Sequence, residues 1–371
     1  MNVCFNFWIK SFSFQLRYNF IKTFNTRIKN LDVIYHWFEV YSVLSKCVST
    51  EMLDTETKQR LDKQWLDLTT EGVVTPGVTK DRNPLLNPPD WYDPVRYARA
   101  QRMAQKYFLR WVGNVLAEKI NVHWKWSSLN LAHFLGNILL IHLPAVLVPI
   151  VATGRSSTVY MVFLRVLSTV VHIFKWYEDD PFDRNSQSHK SLMQVRHTCH
   201  MSVTRLMNEK YPQKDRLWLN QFDMAMTQWS LIGLVGRFFS MFLVNFDGFW
   251  KGKFFGTGIR PKQCGFHSTN KEEFEEYMYF WKVIGYCMGI EDRFNICQDS
   301  YEESVHYFDI CFKQCYKKHL DEKCPIVMMG MRLTEGVFLG QSSLFLCSQS
   351  LKGIIISLNF VVFFSDQWSY A

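Results

Sequence analysis

Three stretches of the chain carry residue types and spacings from which chemistry could be built. The first is VRHTCHMSVTRLMN, Val195–Asn208, where His197, Cys199 and His200 crowd into four residues with Arg196 just before them. Neutral imidazole and thiolate are the usual protein ligands of iron, and a haem asks for only one strong axial donor in an apolar slot. Zinc would ask for three or four donors at recognisable spacing, and no second cluster pairs with this one. Against that reading stands the ordinary one, in which each histidine is a hydrogen-bonded core or surface residue. The second stretch is LRVLSTVVH, in which Arg165, Thr169 and His172 fall at spacings of four and three, on one helical face. A guanidinium set among Leu and Val is costly to desolvate unless a carboxylate, phosphate or propionate faces it. The alternative is an Arg that reaches solvent while Thr169 bonds back to the helix backbone. The third is WKVIGYCMGIEDRFN, Trp281–Asn295, where Gly285 and Gly289 permit close packing and Glu291, Asp292 and Arg293 form a charged turn. By itself it reads as a helix end with a salt bridge, Asn295 being free to cap the next helix.

Helices are the elements that must position these residues. Apolar residues recur at helical spacing over Thr57–Leu68, Thr158–Tyr177, Ser191–Lys210, Gln221–Phe242, Lys271–Met288 and Ser300–His319, and an amphipathic pattern runs from Pro94 to Ile120. Gly, Pro, Asn and Asp separate them, alternating strand patterns are few, and no internal repeat is present. Val73–Pro94 carries five prolines and reads as an irregular strap, because proline denies the chain helical hydrogen bonds. With 48% hydrophobic and 16% aromatic residues in 371, the chain has ample material for a buried core and is too apolar for disorder.

These blocks, with WYEDD (Trp176–Asp180) and FDMAMTQWSLIG (Phe222–Gly233), resemble in order the insect branch of the rubber oxygenase, or latex clearing protein, family, also described as mpaB-type endoplasmic-reticulum-bound oxygenases. The similarity runs from about Pro94 to Leu320. Its most specific parts are Arg165 with Thr169, then Val195, Arg196, His200 and Val203, then Ile284–Asn295. The resemblance implies an all-α fold, one large helical domain with a globin-like helical core enclosing a haem b pocket. It makes His200 the iron ligand, with His197 as the rival. Family members carry the histidine three residues after the Arg, where this chain has Cys199, so His200 stands one residue further on. Arg165 and Thr169 match the helix crossing the other haem face, where Arg165 would hold a propionate or orient a distal group and Thr169 would offer a hydroxyl toward dioxygen. Both therefore count as candidate catalytic as well as cofactor-binding residues. Ser168 stands where some bacterial members have Lys, which points away from polyisoprene and toward another apolar, lipid-like substrate.

The expected layout is an N-terminal extension over 1–75, a haem domain over 76–325 and an apolar C-terminal segment over 326–371. Partners implied are dioxygen, the apolar substrate and a membrane surface. The net charge of +8 is spread without a basic run or nucleic-acid module, so no nucleic-acid partner is expected. Ten irregularly spaced Cys without a C-x-x-C pair, and a start lacking an apolar signal core, fit reduced thiols and an intracellular, cytoplasmic or endoplasmic-reticulum-associated setting. Leu129–Ala152 is long enough to cross a bilayer but is interrupted by Asn, His and Pro, so a buried helical hairpin is the expectation; Gly353–Ser365 is short for a span.

Overall fold

The computed structural model of the chain describes residues 53–103, 105, 136–137, 139–141, 143–243 and 271–317. The parts of the expected layout over 1–52 and 318–371, with Gly353–Ser365 among them, lie outside the described residues, as does most of 104–135. Most of the described residues are helical, and extended pairing among them is confined to one isolated bridge between Pro76 and Asn220. The all-α expectation therefore holds for this part of the chain. None of its helices is long and apolar enough to cross a membrane.

The named helices are α1 (Thr55–Thr70), α2 (Pro144–Ala152), α3 (Val159–Trp176), α4 (Gln187–Gln194), α5 (Ser202–Lys210), α6 (Gln221–Leu243), α7 (Lys271–Met288) and α8 (Tyr301–Cys311). Their starts are set by side chains that accept otherwise unpaired N–H groups. Asp54 accepts from Thr57, Thr158 from Met161, Ser186 from His189, Asn220 from Asp223 and Ser300 from Glu303. Pro144 at the first turn of α2 costs no hydrogen bond there and breaks Leu129–Ala152 at the Leu143–Pro144 step.

The core is made where α6, α7 and α8 meet. Trp229 and Trp281 are almost wholly buried, and their burial is coupled to polar satisfaction. The Trp229 indole N–H donates to the Phe308 carbonyl at 2.9 Å, and the Gln228 amide donates to the Trp281 carbonyl at 2.8 Å. Gly285 lets α7 come this close, because a Cβ there would stand 2.4 Å from the Gln228 amide nitrogen. Helix α1 belongs to the same bundle. It buries Leu61 and Leu68, sets Trp65 5.9 Å from Phe222 of α6, and pairs Arg60 with Glu303 of α8 at 2.8 Å. The helix thus packs onto the core across the position, residue 75, where the sequence pattern had suggested an extension ending.

On the other side, α3 and α4 lie against each other. The Ser191 hydroxyl accepts from the Trp176 indole at 3.0 Å and meets His172 Nδ1 at 2.7 Å. His172 is therefore committed to the α3/α4 contact, and burial pushes its pKa down to about 4, with Lys175 adding to the effect.

Candidate functional site

Between α4 and α5 the helical run does not continue as an α-helix. Val195–Met201 forms a π-helical segment, with hydrogen bonds reaching five residues on in place of four. Such a turn takes up one residue more than an α turn. Wide turns of this kind are frequent at functional sites.

Arg196 anchors the segment at its N-terminal side. It is 1% exposed and faces no carboxylate among the described residues. Its guanidinium donates to the Met288 carbonyl at 2.6 Å, the Cys287 carbonyl at 3.4 Å and the Arg82 carbonyl at 3.0 Å. The first two are carbonyls of the last turn of α7, the negative end of the helix dipole, which suits a cation. Burial lowers its pKa to about 10, so it stays charged near neutrality. Gly289, at φ +112°, continues the chain past this point, and a Cβ there would stand 2.7 Å from the guanidinium. The glycine is thus required both by its left-handed backbone and by the arginine against it.

His200 lies on the far side of the same segment. Its side chain is half-buried, and Nδ1 is buried without a hydrogen-bond partner. Burial, then the charges of Arg196 and Arg165, push its pKa down to about 4, so the ring is neutral at physiological pH. Neutral imidazole is the form that binds metal. His197, three positions earlier, is exposed.

Arg165 comes from α3. It is half-buried, and its one hydrogen bond is from Nη1 to the Ser156 hydroxyl at 3.3 Å. No carboxylate among the described residues pairs with it. Burial lowers its pKa, partly compensated by Cys199, the neighbour of His200. Arg165 and His200, 35 positions apart in sequence, are thus within electrostatic reach of each other. Thr169 is not brought in with them. It is exposed, and its hydroxyl donates to the Arg165 carbonyl at 3.0 Å, the backbone bond that the sequence left open as the alternative. The expectation of an inward-facing Thr169 is corrected on this point. The helical spacing placed it near Arg165, but a β-branched hydroxyl satisfies itself on its own helix more cheaply than across a cleft.

The roles of two groups at this site had no signal in the sequence. Arg196 was visible as a residue of the motif but not as a buried clamp on α7. Thr204, one turn beyond His200, has its Oγ1 buried without a partner. The third sequence stretch is structural. Asn295 does not cap the start of the next helix, which Ser300 caps; its amide donates to the Lys282 carbonyl and its oxygen accepts from Cys297 N–H and Gln228, tying α7 to α6. Glu291 pairs with Arg82 and Arg293, and Arg293 also pairs with Glu71.

Among the described residues no group of three or more His, Cys, Asp or Glu side chains is arranged to hold a bare metal ion. A haem would ask instead for one imidazole and a cation for its propionates; His200, neutral and with Nδ1 unpartnered, and Arg165, which no carboxylate among the described residues pairs with, are residues of those two types. No protein-family model, curated protein or solved structure matches the chain.

Proposed function

We propose that the chain is a haem b-dependent oxidoreductase of the oxygenase type, acting with dioxygen on an apolar, lipid-like substrate. The observation that carries the reading is that the charge of Arg165, a guanidinium that no carboxylate among the described residues pairs with, reaches His200, a neutral imidazole whose Nδ1 is buried without a partner. The family resemblance of the motifs supplies the reaction class and the nature of the substrate. In this reading His200 would ligate the iron, Arg165 would pair with a propionate, and Arg196 holds the π turn that carries the imidazole. Bound haem supplies the activation of dioxygen; the protein's part is ligation, orientation and control of polarity and access.

A second reading, a haem- or lipid-binding helical protein without turnover at a membrane, is favoured by one observation, the commitment of the Thr169 hydroxyl to the Arg165 carbonyl. Titration of the full chain with haemin separates the possibilities. A Soret band saturating at a stoichiometric ratio is expected, and a folded protein that gives none overturns both haem readings and leaves lipid binding alone. Dioxygen uptake with an unsaturated lipid then divides enzyme from carrier.

Arg165→Leu is expected to weaken haem binding roughly a hundredfold, on the order of 3 kcal/mol, because a propionate would be left unpaired in a low-dielectric slot. Equilibrium titration followed at the Soret band measures it. Unchanged affinity would show that Arg165 reaches solvent and does not face the cofactor.

A further inference from the structure

We propose that Thr204 is the positioning residue for His200, its hydroxyl accepting the Nδ1–H of the imidazole when the ring engages iron through Nε2; the inference rests on the haem reading above. Two buried polar atoms without partners lie on one helical run here, Nδ1 of His200 and Oγ1 of Thr204. They are four residues apart, the spacing at which helical side chains are neighbours on one face.

The hydroxyl of Thr204 behaves unlike those of four other helical threonines among the described residues. Thr69, Thr70, Thr169 and Thr227 each donate to the carbonyl four residues back, at 2.8–3.0 Å. Thr204 does not, and its fourth residue back is His200, inside the π segment. Its hydroxyl is left buried and uncommitted, one helical turn from a residue whose imidazole Nδ1 is in the same condition.

A histidine that ligates a metal through one nitrogen almost always donates the N–H of the other to an acceptor, which fixes tautomer and ring plane. The charged groups that bear on His200 are Arg196 and Arg165, and a guanidinium can only donate. The Thr204 hydroxyl can accept, and its own proton can then turn to a backbone carbonyl. A change of side-chain rotamer, without movement of the helix, would satisfy both atoms together.

The test uses the full chain reconstituted with haemin, in wild-type, Thr204→Val and Thr204→Ser forms. Valine keeps the shape and removes the acceptor; serine restores it. Two quantities are read: the rate of haem loss to an excess of a haem-scavenging apoprotein, and the iron–histidine stretching frequency of the ferrous form by resonance Raman. Thr204→Val is expected to lose haem roughly ten- to a hundredfold faster, the usual cost of removing the partner of a ligating histidine. Its iron–histidine frequency should fall, since the imidazole loses basicity, and Thr204→Ser should recover both values. Wild-type protein with a Soret band and a Thr204→Val variant equal to it in both readouts overturns the inference alone. Absence of a Soret band in the wild type overturns it together with the haem reading. A Thr204→Val protein that loses haem faster while its stretching frequency is unchanged, and which serine fails to rescue, also overturns it, since that pattern belongs to a packing defect.

Discussion

His200→Ala is expected to abolish haem retention in the reconstituted chain, while His197→Ala leaves it nearly unchanged. The two imidazoles are three residues apart, yet the structure gives them opposite surroundings. His197 is exposed, whereas His200 is half-buried, with Nδ1 shut away from water and the ring held neutral to about pH 4 by burial and by two guanidinium groups. A ligand that is already deprotonated and partly desolvated gives up little hydration when it meets iron. Removing it leaves the macrocycle with apolar contacts and the Arg165 pair alone. A loss of affinity of at least about a thousandfold, about 4 kcal/mol, follows from losing the axial bond. Gel filtration after haem loading, with the Soret-to-protein absorbance ratio as readout, decides the matter. If His197→Ala has the larger effect, the ligand lies on the exposed side of the π turn and the site must be rebuilt around it.

Arg196→Met is expected to lower the stability of the folded chain by about 3 kcal/mol. Two opposing effects set that figure. The substitution removes the cost of keeping a charge buried without a counter-ion, and methionine refills much of the volume. It also strips donors from the Met288 and Arg82 carbonyls, which accept at 2.6 and 3.0 Å, and each buried carbonyl left without a donor costs about 1–3 kcal/mol. The hydrogen bonds are charge-assisted and the two carbonyls belong to separate segments, so their loss outweighs the relief. Arg196→Lys keeps the charge but cannot span Met288 and Arg82 with a planar fork, and should fall between. Urea unfolding of the three proteins measures the order. Equal stability of Arg196→Met and wild type would show that desolvation of the guanidinium had cancelled its bonds, and that the π turn is held by packing alone.

Much of the helical framework was legible because it rests on local signals. The pattern placed helices at Thr57–Leu68, Gln221–Phe242 and Lys271–Met288, and the structure has them at Thr55–Thr70, Gln221–Leu243 and Lys271–Met288. Caps at Asp54, Ser186 and Ser300 account for the small changes at helix starts, as a side-chain oxygen three residues ahead recruits the first turn. The site was only partly legible. Spacing showed that Arg165 and His200 each had unusual neighbours, but two helices separated in sequence give no signal of their meeting. The π segment was hidden because Val195–Met201 has the same composition as an α-helix and differs only in which carbonyl each N–H selects. Thr169 and Asn295 illustrate the same limit at the level of one side chain. Both can bond to their own backbone, to a neighbouring helix or to a ligand, and the choice between them is made by tertiary packing.

The π segment also bears on what changes of length the gene can tolerate. In a regular helix, adding or removing one codon rotates everything downstream by a quarter turn or more and takes a buried face out of register. Here the slack lies between two fixed points, Arg196 fastened to the end of α7 and Met207, the buried residue of α5. Removal of one codon from Thr198–Cys199 would close the wide turn to an ordinary one, keep Arg196 in place and set the histidine three residues after the arginine, so that the change of length is absorbed within the segment and the helices on either side keep their register.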